Sequence, residues 1–62
     1  MTQAEKRQVL DVLIYALSHA QCAYEIAMKD DPNSYLAETT KKDYEAVKTA
    51  YDTMCKEVGI NA

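Results

Sequence analysis

His19 and Cys22 are the side chains whose types and spacing could do chemistry. They stand three residues apart, which presents an imidazole and a thiol on one side of a helix. Two ligands do not close a zinc site, and the chain has one further cysteine, Cys55, and no Cys-x-x-Cys motif. A Cys–His nucleophile needs an orienting third group and a pocket, which two helices do not supply. We therefore interpret His19 as a boundary residue and predict no catalytic, metal or cofactor site.

Other features of enzymes are missing from the sequence as well. The single glycine, Gly59, excludes a glycine-rich phosphate loop. No two of the ten carboxylates stand out as a buried pair, although Glu45 should lie near His19 and make a weak contact with it. We predict that the protein is not an enzyme.

Charge and hydropathy limit the partners. The formal net charge is −3 and the seven basic residues are dispersed, which disfavours nucleic acid as a general ligand. The longest apolar run, residues 12–17, is too short to cross a bilayer, so no membrane partner is expected. The N-terminal residues do not resemble a signal peptide, and the two thiols have no bridge to form. These features predict a cytoplasmic protein.

Residues 30–34, with the sequence Asp-Asp-Pro-Asn-Ser, are the strong helix breaker at the middle of the chain. Both flanks have helical apolar spacing, which predicts an all-α, two-helix antiparallel hairpin. We expect one domain over residues 1–62, with a helix at about 3–29, a turn at about 30–33 and a helix at about 34–58.

The predicted helix ends carry capping signals. Thr2 and Glu5 form a capping-box pattern, and Gly59 is placed to end the second helix, followed by a hydrophobic contact from Ile60. The second helix has two candidate starts. Either Asp31 caps it with Pro32 at the first helical position, or it begins later, near Ser34.

An apolar seam at helical spacing runs along each helix. Folding at Pro32 makes Leu10 face Met54, Ala20 face Tyr44 and Tyr24 face Thr40. The same register separates Cys22 from Cys55 by about 20 Å, beyond disulfide reach. The predicted core and dimer residues are Leu10, Leu13, Leu17, Ala20, Tyr24, Tyr44, Val47, Tyr51 and Met54.

The apolar side of the first helix is wider than one neighbouring helix can cover. It also includes Val9, Val12, Ala16, Ala23 and Ile26 on one flank, with Ile14 and Met28 on the other. Chains this short usually need a disulfide, a metal or a partner chain for stability. We therefore expect the hairpin to pair with a second copy into a homodimeric four-helix bundle.

The opposite side of the first helix is mostly polar and carries Tyr15. Exposed tyrosines are effective contact residues, although single exposed aromatics are also common. The residues expected to bind a protein partner are Asp11, Tyr15, Ser18, Cys22 and Glu25. The predicted function is that of a small, acidic, non-enzymatic regulator that docks on another protein, of the kind encoded as an accessory gene of a phage or plasmid.

The chain also resembles the Rop family of plasmid copy-number regulators. The similarity lies in length, in the helix–turn–helix outline, in the opening Met1-Thr2 and Glu5-Lys6, and in an apolar seam that starts near Val9. The resemblance implies an antiparallel four-helix bundle and an alternative function, binding of paired RNA hairpins by the two first helices. The corresponding positions here are Gln3, Leu10, Ile14, Ser18 and Glu25. Ile14 replaces an aromatic residue, and Glu25 stands where a lysine is expected.

Overall fold

The computed structural model describes residues 1–59, which form two antiparallel helices. Helix α1 spans Gln3–Asp30 and helix α2 spans Tyr35–Val58, within one residue of the predicted limits. No strand occurs among the described residues. The Cα atoms extend over 42 × 17 × 14 Å. The predicted helical hairpin is confirmed, while the contact predicted for Ile60 lies outside the described residues.

The N-terminus of α1 is held by the predicted capping box. The Thr2 N–H donates to Glu5 Oε1 at 2.8 Å, and the Glu5 N–H donates to Thr2 Oγ1 at 3.1 Å. The side chain of Gln3 donates from Nε2 to the carbonyl oxygen of Val58 at 3.2 Å. This bond satisfies one carbonyl at the end of α2 and joins the two chain ends of the hairpin.

The turn decides between the two candidate starts for α2. The later start, near Ser34, is confirmed, and the start with Asp31 as the cap is wrong. The Asp31 N–H donates to the Ala27 carbonyl at 3.0 Å, which ends α1, and Asp31 Oδ1 accepts from the Asn33 N–H at 3.0 Å. Residues 32–34 form a turn and not helix, so Asp31 does not cap α2, and Pro32 precedes the helix. Ser34 is the cap, and its Oγ accepts from the Ala37 N–H at 3.0 Å.

Helix α2 ends at Val58, as predicted. Gly59 follows in the left-handed conformation, with φ 82°, and its N–H donates to the Lys56 carbonyl at 3.2 Å. This is the usual glycine termination of a helix, because glycine has no Cβ to oppose a positive φ.

The hairpin has a small core. Leu10 is 6% exposed and packs in one cluster with Cys55 and Val58, against which Tyr51 and Met54 also lie. No large side chain is fully buried in residues 1–59. The six buried residues are Leu10, Ala20, Ala27, Ala37, Cys55 and Val58. The other predicted core residues are half-buried: Leu13, Leu17, Tyr24, Tyr44, Val47, Tyr51 and Met54. Sequence reasoning missed Cys55, although cysteine is among the residue types most often buried.

The two seam tyrosines contact each other across the hairpin. Tyr24 stacks on Tyr44, with ring centroids 6.2 Å apart, a contact that the expected pairs Tyr24–Thr40 and Ala20–Tyr44 did not include. Thr40 satisfies its hydroxyl inside its own helix by donating to the Leu36 carbonyl at 2.7 Å and to the Ala37 carbonyl at 3.2 Å. A polar residue therefore fits beside the seam without a partner on α1.

Candidate interaction surfaces

One side of the hairpin, which we call the open face, carries an uncovered apolar line on α1. Val12 is 63% exposed and Ile26 is 68% exposed. Successive members of the line are separated alternately by three and four residues, which keeps them on one side of a helix. The line consists of Val9, Val12, Ala16, His19, Ala23 and Ile26. This is the spacing of a helix that packs along another helix, yet Val12 and Ile26 are not covered by any part of residues 1–59.

Helix α2 contributes a second line to the open face. Leu36 is 58% exposed at its start. The members again alternate between four-residue and three-residue steps: Leu36, Thr40, Asp43, Val47 and Ala50. Both helices therefore present a line with the spacing of a bundle seam on the same side of the hairpin.

A groove lies between the two lines and has a volume of about 300 Å³. This is at the low end of the range for small-molecule sites. Its lining residues are Ala16, His19, Ala20, Ala23, Thr40, Asp43 and Val47. Small apolar side chains dominate, and the two groups that can carry charge, His19 and Asp43, come from opposite walls. The structure thus brings His19 to the same groove as Asp43, while Glu45, expected near His19 from the sequence, is not among the residues that line this groove.

The other side of the hairpin is more polar near the turn. A cavity of about 340 Å³ lies there, lined by Tyr24, Met28, Pro32, Asn33, Ser34, Ala37, Glu38 and Lys41. Lys42 also forms an ion pair with Glu38, with Nζ 3.3 Å from Oε1. Because charged side chains border this cavity, the open face is the more apolar of the two long sides.

The predicted partner-binding residues form a third surface, the outer strip. All five are exposed: Asp11, Tyr15, Ser18, Cys22 and Glu25. Tyr15 is 79% exposed, and Glu25 Oε1 accepts a hydrogen bond from Gln21 Nε2 at 3.2 Å. The strip lies on the side of α1 away from the seam, as the helical spacing predicted.

His19 and Cys22, the two residues considered for a metal or catalytic site, belong to two different surfaces of the hairpin. His19 lines the groove of the open face, while Cys22 belongs to the outer strip. Cys22 and Cys55 are both free thiols, the first exposed and the second buried. In the part of the chain that the structure describes, no three His, Cys, Asp or Glu side chains converge as a metal site requires.

Two perturbed titratable groups lie away from the groove. The Thr2 backbone N–H, followed by the Thr2 hydroxyl, lowers the pKa of the Glu5 carboxyl by hydrogen bonding to it. The Cys55 side chain raises the pKa of the Tyr51 hydroxyl, chiefly through a hydrogen bond. Each effect comes from a contact within one helix, Thr2 with Glu5 at the start of α1 and Tyr51 with Cys55 in α2.

Two of the positions at which the Rop resemblance implies RNA contacts are occupied by other interactions. Leu10 lies in the core cluster, and Gln3 uses its side-chain amide on Val58. Neither helix in residues 1–59 combines the length and apolarity that a membrane span requires. Comparisons of the chain with models of protein families, with curated proteins and with solved structures find no match. Function is therefore inferred from the surfaces of the hairpin itself.

Proposed function

We propose that this chain is a small, non-enzymatic interaction protein that works as a homodimer. Two hairpins pack open face against open face into a four-helix bundle, and the outer strip docks on a protein partner in the cytoplasm. The observation that carries this proposal is the line with bundle spacing on α1, in which Val12 and Ile26 are exposed, together with the exposed Leu36 that α2 adds to the same face. A line of this kind is the part of a helix that normally meets another helix.

The energetics favour a second hairpin as the cover. Full burial of an exposed Val, Leu or Ile side chain contributes about 1.5–3 kcal/mol, and the open face offers Val12, Ile26 and Leu36 from each copy. A side 42 Å long and 17 Å wide has a projected area of about 700 Å². Stable interfaces bury about 800 Å² per partner, so the face has the size that a dimer needs.

The outer strip stays available when the open faces meet. It lies on the far side of α1 from the seam, so a partner can reach Tyr15 while the bundle is intact. The strip carries the acidic Asp11 and Glu25 around Tyr15, while Arg7 and Lys29 lie one turn beyond its two ends. It therefore suits a partner surface with basic groups around a site that accepts a tyrosine ring.

Dimer formation is tested by charging the open face. Val12→Glu places a carboxylate where the second copy packs, and we expect sedimentation to show a helical monomer where the wild type is a dimer. Ser18→Glu adds the same charge on the outer strip of the same helix and should leave the dimer unchanged. A wild-type protein that sediments as a monomer at low micromolar concentration would contradict the homodimer.

Partner docking is tested by a matched pair of tyrosine variants. Tyr15→Ala should lose a protein partner that the wild type retains, with helicity unchanged. Tyr35→Ala removes a comparably exposed ring beside the turn and should keep the partner bound. If the partner stays on Tyr15→Ala, the outer strip is not the docking surface.

RNA is the competing ligand, following the resemblance to the Rop family. A gel shift with paired RNA hairpins at low salt should give no complex at micromolar protein, because the outer strip is acidic. A complex that forms and weakens as salt rises would replace the protein partner with RNA.

A further inference from the structure

We propose that the second copy packs with its turn at the same end of the bundle, so that His19 lies against Asp43 of the partner subunit. Each α1 then runs along the α2 of the other copy. This inference rests on the proposed homodimer and specifies its topology. It follows from the His19–Asp43 layer, in which each helix contributes to the groove of the open face a side chain that can carry charge.

A two-fold axis that brings two open faces together must lie in the plane between them. It runs either across the hairpins or along them. An axis across the hairpins stacks α1 on α1 and α2 on α2 and puts the turns at opposite ends. An axis along the hairpins stacks α1 on α2 and puts the turns side by side.

An axis across the hairpins gives the His19–Asp43 layer unfavourable contacts, whether the axis passes through that layer or through the middle of the helices. If it passes through the His19–Asp43 layer, His19 meets His19 and Asp43 meets Asp43, so two carboxylates oppose each other. If it passes through the middle of the helices, His19 faces the stretch between Val12 and Ala16, which cannot hydrogen bond to an imidazole. Burial of a polar group without a partner costs about 1–3 kcal/mol.

An axis along the hairpins stacks the His19–Asp43 layer of one copy on the same layer of the other copy. His19 and Asp43 line one groove, near the middle of the lining residues of their helices, so they lie at similar levels of the hairpin. Rotation about the long axis keeps that level and exchanges the walls, so each imidazole meets a carboxylate. An imidazole N–H donates to a carboxylate whether the ring is neutral or charged. Thr40, the other polar residue of the groove, already donates to the carbonyls of Leu36 and Ala37 and does not compete.

The apolar layers cannot make this choice. Contacts between aliphatic side chains are non-directional, and a polar position in an apolar seam is a known means of setting register and orientation. The His19–Asp43 layer is therefore the element of the open face that selects between the two arrangements.

The position of the turns decides the topology experimentally. Asn33 is exposed in the turn, and Asn33→Cys in a Cys22→Ser background places one spin label there, with single labelling checked by intact mass because Cys55 is buried. Pulsed dipolar spectroscopy should give one short distance, about 10–25 Å, since neighbouring helices of a bundle lie 8–10 Å apart. Turns at opposite ends would instead be separated by about the 42 Å length of the hairpin.

Each outcome has a defined meaning. A single short distance supports the proposal. A single long distance, or a mixture of both, overturns it while leaving the homodimer intact. Absence of any dipolar coupling means a monomer, which defeats the proposed function itself.

A second spin-labelled variant tests whether the His19–Asp43 layer is what selects the dimer topology. His19→Leu combined with Asp43→Leu makes the open face uniformly apolar, so the label at position 33 should report both short and long distances while the protein stays dimeric and helical. If this double variant keeps the single short distance, the His19–Asp43 layer does not select the topology.

Discussion

The rings of Tyr24 and Tyr44 stack across the hairpin, with centroids 6.2 Å apart and planes inclined by 27°. Ala20 and Thr40 line the groove of the open face instead. The stacked pair therefore belongs to the interior of the single hairpin, and the small residues of each helix border the open face. This arrangement separates the contacts that hold one chain together from the contacts offered to a second chain.

Tyr24 and Tyr44 should be energetically coupled. We expect a double-mutant cycle of Tyr24→Leu and Tyr44→Leu to give a coupling of about 0.5–1.5 kcal/mol in the free energy of unfolding, because stacked rings gain that much beyond burial. Denaturant unfolding of the four proteins measures it. A cycle of Tyr24→Leu with Tyr51→Leu is the control, since Tyr51 packs in the Leu10 cluster. Equal coupling in both cycles would contradict a specific stack.

Leu10 and Leu36 should respond differently to truncation, because one is in the hairpin core and the other lies on the open face. Leu10→Ala should lower the free energy of unfolding by about 2–5 kcal/mol at every protein concentration. Leu36→Ala should have its main effect where the protein is dimeric, by weakening association. Thermal unfolding over a hundredfold range of concentration measures both. The same concentration dependence in both variants would be inconsistent with this division.

Gly59 should be needed for its backbone conformation alone. A Cβ at this position meets no atom within 4 Å, but φ is +82°. Gly59→Ala is therefore expected to destabilise the protein by about 1–2 kcal/mol, from the left-handed conformation and not from a clash. Gly59→Asn should cost less, because asparagine tolerates this region. Equal losses in the two variants, measured by denaturant unfolding, would indicate that some other feature of the position matters.

Glu5 should make the hairpin less stable in acid. Its pKa is lowered in the folded state by the hydrogen bonds from Thr2, so its contribution is complete above the ordinary pKa of a glutamate and is lost as the pH falls through the folded pKa. Glu5→Gln removes the titration. The difference in unfolding free energy between wild type and Glu5→Gln should shrink in acid. A difference independent of pH, or an NMR titration that places the Glu5 pKa at or above its ordinary value, would refute the capping effect.

Sequence alone determined the features that depend on residues three or four positions apart. The Thr2–Glu5 capping box and the end of α2 at Gly59 were predictable because each is made by hydrogen bonds within one turn of chain. The hairpin followed from one break between two periodic segments. The exposure of the outer strip, Tyr15 included, followed from the same helical period.

The rotation of each helix about its own axis was decided only in the tertiary structure. A seam read from spacing tolerates a rotation of part of a turn, and within that margin Tyr24 stacks on Tyr44 and Cys55 enters the core. The meeting of His19 and Asp43 in one groove depends on the same rotation. His19 and Cys22 stay one turn apart on α1 because spacing along one helix fixes that relation, whereas the packing of α2 against α1 sets that His19 shares a groove with Asp43.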